Sequence, residues 1–209
     1  RDCLLSRGLG DVYKRQTYLY PLKRENMQDY NEDIVIEQLQ NPATVRQAFA
    51  RVVARYSEPL YWQIRKMVLS HDDANDLLQN TFLKAWGSIE YFRGDAKLST
   101  WLYRIAVNEA LTFLARERER RNLTADDTDD FLLSHVESDE YFDGDRAQRL
   151  LQEAVLQLPE KQRLVFNMRY FDEMKYEDMS EILGTSVGAL KASYHHAAKK
   201  IEEYLQDHV

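Results

Sequence analysis

Four side chains, Trp101, Arg104, Asn108 and Thr112, recur at i, i+3, i+7 and i+11. At helical spacing they form one row carrying an indole, a guanidinium and an amide. Just upstream lie Tyr91, Phe92, Arg93 and Lys97. Aromatic rings beside cations suit unstacked bases, which need a surface to rest on and compensation for their phosphates. The same row also suits a seam between two helical domains; the aromatic and basic residues ahead of it favour contact with bases. A second group closes the chain: Gly188, Lys191, Ala192, His195 and Lys199 share an outer helical face in a stretch with no acid from Ser186 to Ile201. Ser186 stands where a helix cap would leave free amides for a phosphate.

These groups need helices to hold them. Around the first row, Leu98, Leu102, Ile105, Ala106, Ala110 and Phe113 crowd the opposite side, which predicts a helix from near Ser99 buried over most of its circumference. Glu109 falls within that apolar arc and must reach an edge or find a partner. Upstream, Asn41 and Pro42 signal one helix start and Ser57 with Pro59 a second. Asp72 or Asp73 is expected to cap a third helix, with Ala74, Leu78, Phe82, Ala85 and Trp86 inward, Asp76, Gln79, Asn80, Leu83 and Lys84 outward, and Gly87 as its stop. After the acid-rich stretch from Asp126 to Asp145, periodicity returns: Leu150 to Leu158, a helix opened by Pro159, then Tyr176 to Leu183, a turn at Gly184-Thr185, and a long helix from Ser186. A short helix, a tight turn and a longer basic-faced helix is the helix-turn-helix pattern. An ordinary helical hairpin shares it, but the acid-free outer face in an otherwise acidic segment favours DNA.

The expectation is therefore an all-α protein of two small helical domains, 42–121 and 147–209, joined by an acidic flexible linker over 122–146. Residues 1–16 have no period and read as a non-native, adapter-derived segment, with Met27 as the expected start and 17–41 as a polar, frayed extension. The net charge of −7 would argue against nucleic acid were it evenly spread. It is not: 42–122 holds thirteen basic residues against nine acids, and 123–150 two against nine. No apolar run approaches a membrane span, and the single cysteine, Cys3, excludes internal disulfides and fits a reducing, cytoplasmic setting. His195 and His196 are adjacent and cannot share one metal from the same helix. With no glycine-rich phosphate loop, nucleophile elbow or zinc-ligand spacing, neither enzyme activity nor a cofactor is expected.

Taken in order, these motifs resemble bacterial sigma factors of the extracytoplasmic-function (ECF) group. Asp73-Ala74-Asn75-Asp76-Leu77-Leu78-Gln79-Asn80 through Trp86 is similar to the helix that binds the polymerase clamp. Phe92-Arg93-Gly94-Asp95 with Thr100 to Asn108 is similar to the minus-ten reading and melting element, and Leu158 to Arg163 with the final helix-turn-helix to the minus-thirty-five domain. The resemblance implies that Asp76, Gln79, Asn80 and Leu83 dock on core RNA polymerase. It implies that Arg104 and Asn108, with Trp101 and the loop bearing Tyr91, Phe92, Arg93 and Lys97, meet the minus-ten element, the loop holding a flipped base. It places Ser186, Gly188, Ala189, Lys191, Ser193, Tyr194, His195 and Lys199 on or near minus-thirty-five DNA, although the helical wheel turns Tyr194 inward. The family commonly has arginines where this chain has Ser193 and His196. An anti-sigma factor is a further implied partner. A stand-alone helix-turn-helix regulator is the alternative, and it leaves the outward Asp76, Gln79 and Leu83 face unexplained.

Overall fold

The computed structural model describes residues 30–94, 96–121 and 146–208. The segment 1–16, most of the extension and nearly all of the acidic linker lie outside the described residues. The first helix, α1 (Glu32–Leu39), corrects the frayed-extension expectation. Asn31 caps it, accepting from the amides of Asp33 (3.0 Å) and Ile34 (3.3 Å), and Val35 and Leu39 are buried in the main core. The i, i+4 spacing of those two residues is the signal that polarity elsewhere in the segment obscured.

Helix α2 (Val45–Val68) runs unbroken through Pro59, where two helices were expected. An internal proline loses a hydrogen bond and crowds the preceding turn. Here the stripe Ala48, Val52, Tyr56, Leu60 and Ile64 continues across it in one phase, all buried, so packing outweighs the break. Asn41 does not cap this helix; it forms a turn, its Oδ1 accepting from the Ala43 amide at 2.9 Å. The helix ends at Leu69, in the left-handed region at φ 58°. Ser70, not Asp72 or Asp73, then caps α3 (His71–Ser88), accepting from the Asp73 amide at 3.3 Å. The inner side of α3 is Ala74, Leu77, Thr81 and Ala85, while Trp86 is 39% exposed, correcting its inward placement. Gly87 does not stop this helix, which continues to Ser88 and a 3-10 turn at Ile89–Tyr91. Helix α4 (Leu98–Arg121) packs against both α2 and α3. Its Glu109 finds a partner in Lys84 of α3.

The second group comprises α5 (Arg146–Leu156), α6 (Glu160–Phe166) with a π-helical continuation over Asn167–Phe171, α7 (Tyr176–Leu183) and α8 (Val187–His208). Leu190, Ala197 and Ile201 are the buried line of α8, opposite its acid-free outer face. Leu151, Leu158, Phe166 and Ile201 form a small core of their own. Leu164, Val165, Met168, Met179 and Ile182 instead join the core of the first group, so the two domains share apolar surface.

Candidate nucleic-acid interface

Arg104, Asn108 and Thr112 are exposed along α4, opposite the fully buried Leu98, Leu102, Ala106 and Ala110. Trp101 is half-buried and packs on Phe92, ring centres 5.0 Å apart and tilted by 40°. Phe92 is itself 7% exposed. This corrects the expectation that it offers a face to a base: its ring belongs to the core and props the indole. Tyr91, 79% exposed, is the aromatic residue of the loop that faces outward, with Arg93 and Lys97 also exposed. Gly94 turns the loop at φ 79°, a backbone conformation that glycine adopts without strain.

The second domain lies across this row. The Arg104 guanidinium donates to the backbone carbonyl of Glu181, and Lys97 pairs with Asp178 at 2.8 Å, both partners on α7. Further along, Arg118 meets Glu160 at 3.0 Å, and Lys66 of α2 pairs with Asp172 beyond the π-helical turn. Two of the residues chosen from sequence for DNA contact, Lys97 and Arg104, therefore also face the seam between the domains.

Asp172 lies deep in that seam. Burial pushes its carboxyl above the ordinary range, and the neighbouring Lys66 ammonium offsets only part of that. A carboxyl raised in the packed state contributes stability that is complete below its ordinary pKa of about 4 and is lost as pH rises through the raised value. Asp172→Asn, which keeps an acceptor and cannot ionise, is expected to flatten the decline of Tm with rising pH in the acid range. Thermal melts followed by circular dichroism at stepped pH will show this.

In the helix-turn-helix, Gly184 closes α7 in the left-handed region at φ 62°. Ser186 Oγ accepts from the Ala189 amide at 3.3 Å, capping α8 as its sequence position predicts. Gly188, Ala189, Lys191, His195 and Lys199 are exposed, and Ser193 is half-buried. The Lys191 ammonium sits 5.7 Å from the centre of the Tyr176 ring, which holds it at the edge of the face. Tyr194 stacks on Phe166 with ring centres 5.7 Å apart. It therefore supports α8 from inside, as the helical wheel indicated. His196 is exposed. On α3, Asp76, Gln79, Asn80 and Leu83 line an exposed face, with Leu83 62% exposed.

A helical protein that carries both a helix-turn-helix and an aromatic-basic loop beside an exposed polar row is, as a class, a DNA-binding protein. The Sigma-70 region 2 family matches residues 52–120, and the Sigma-70 region 4 family matches 148–201. The chain is 31% identical over 169 residues to the RNA polymerase sigma-H factor of Pseudomonas aeruginosa, covering 77% of this chain and 88% of that protein. It is 30% identical to the ECF RNA polymerase sigma factor SigW of Bacillus subtilis, covering 77% of this chain and 90% of the relative. In fold it is similar to CnrH, solved with the cytosolic domain of CnrY, at a TM-score of 0.60, 23% identity and coverage of 84% of this chain and 97% of that one. It is also similar to the sigma factor RpoE of Bartonella quintana, solved with the anti-sigma factor NepR, at a TM-score of 0.59, 21% identity and coverage of 76% and 96%. The chain belongs to the sigma-70 family, in its ECF group, and is a promoter-recognising factor for transcription initiation. None of the described helices is long and apolar enough to cross a membrane.

Proposed function

We propose that this chain binds core RNA polymerase through the exposed face of α3 and reads promoters with two separate grips, without chemistry of its own. The outward set Asp76, Gln79, Asn80 and Leu83 docks on the polymerase. The loop carrying Tyr91, Arg93 and Lys97, with Trp101, Arg104 and Asn108 of α4, captures melted minus-ten bases, Phe92 supporting the indole from beneath. Ser186, Gly188, Ala189, Lys191, Ser193, His195 and Lys199 meet the minus-thirty-five duplex, and Tyr194 acts by seating the helix. The domain limits 42–121, with α1 packed onto the first, and 147–209 are the working units of this reading, with 122–146 as the acidic linker.

The observation that carries it is the 62% exposed Leu83 amid polar side chains on a helix whose opposite side is buried. A regulator that needs only duplex DNA has no use for that face. Lys97 and Arg104 are engaged by α7 in the packed arrangement, so promoter capture requires the domains to part. A partner that keeps them together silences the factor. An anti-sigma factor, the kind of protein that accompanies the similar Bartonella structure, fits this role. The place of action is the cytoplasm, where polymerase and promoters are.

The test is transcription from a randomised promoter library with purified chain and bacterial core polymerase, each omitted in turn. Enrichment of start sites that needs both proteins is the expected result. Duplex binding by the chain alone, with no initiation, overturns this reading.

A further inference from the structure

The row on α4 begins with a helix that lacks its own acidic start. No Asp or Glu lies in the first turn of α4, and Lys97, at the capping position, has no side-chain oxygen to accept from the free amides. The acceptor comes from 66 residues upstream. Glu32 Oε1 takes the Leu98 amide at 2.8 Å, while its Oε2 takes the Tyr56 hydroxyl at 3.3 Å. Burial raises the Tyr56 hydroxyl far above its ordinary pKa, so it stays a donor. Its ring is held edge-on by Tyr30 at 6.1 Å. Glu32 is thereby fixed at both oxygens, and its negative charge faces the positive end of the α4 dipole.

Helix α1 also reaches the loop. Ile36 Cγ2 lies 3.7 Å from where a side chain on Gly94 would begin, and Val35 shares the core with Ile89 and Phe92. The loop is thus slung between the buried Ile89 and Leu98, and α1 braces its middle and its far end. None of α1 falls within the matched region 2 segment, residues 52–120.

We infer that Glu32 is a positioning residue for minus-ten melting: by capping α4 from a separate helix it holds the loop residues Tyr91, Arg93 and Lys97, with Trp101, in the geometry that receives an unstacked base. The inference rests on the reading of that loop as the base-capturing element. A preformed loop captures a flipped base without first losing conformational freedom.

The test compares the full chain with Glu32→Ala and Glu32→Gln in reconstituted holoenzyme. For Glu32→Ala, holoenzyme assembly should match the unmodified chain, because α3 is untouched. The rate at which minus-ten thymines become permanganate-reactive should fall about five- to tenfold, the scale of a lost helix cap. Hydrogen exchange should rise in 89–101 and not in α3 or α8. Glu32→Gln keeps the acceptor oxygen and should recover most of both. Unimpaired melting by Glu32→Ala, or an equal fall in assembly and melting, overturns the role. No initiation by the unmodified chain overturns the functional reading instead, and the exchange result separates the two failures.

Discussion

Leu83→Asp is expected to weaken assembly with core RNA polymerase by about 100-fold while leaving the melting temperature of the free chain within about a degree. Leu83 is 62% exposed, so the change removes almost nothing from the interior. At a docking surface the balance differs. A leucine at the centre of a contact, replaced by an unpaired charge that must be desolvated, costs about 2–3 kcal/mol. Fluorescence titration of labelled chain with core polymerase measures the first quantity, and calorimetry of the free chain the second. Unchanged affinity would remove α3 from the interface. Asp76→Arg on the same face should act in the same direction, again without unfolding the chain.

Lys191→Glu should cost roughly 10- to 100-fold in promoter binding by holoenzyme and lower the magnitude of the log–log salt slope by about one. Lys191 is exposed on the acid-free side of α8, and the contact of its ammonium with the Tyr176 ring lies at the surface, so little fold energy is at stake. A phosphate contact acts on every sequence alike. The loss should therefore appear on consensus and variant minus-thirty-five elements equally. A change in base preference would instead assign Lys191 to a base edge. Filter binding across a salt series with both promoters separates these outcomes, and binding unchanged at every salt concentration would place α8 away from the duplex.

Local pattern carried much of this protein. The acid-free outer face of α8, its buried line through Leu190, Ala197 and Ile201, the Ser186 cap and the outward α3 set are all periodic facts. One helix face must be apolar to be buried, and the other is left to polar chemistry. The errors fell where a local signal met a packing demand. Pro59 and Ser57 look like a helix start, yet one continuous stripe from Ala48 to Ile64 is worth more than the hydrogen bond the proline removes. Gly87 looks like a stop, yet the turn following α3 begins only after Ser88. Phe92 and Tyr91 are equivalent aromatic residues in sequence; their side chains leave the backbone in different directions, so one enters the core and the other faces solvent.

Periodicity therefore located most of the helices and their faces and set the order of the two domains, and residue type proposed which side chains would meet bases, phosphates and a protein partner. Tertiary structure alone decided which of those residues meet one another. Lys97 and Arg104 face α7, more than seventy residues away, and Glu32 of a seemingly polar extension caps the helix that bears the reading row. Such pairings join oppositely charged or complementary groups that no period relates. Their partners are chosen by the path of the chain through space, which burial of the shared core fixes.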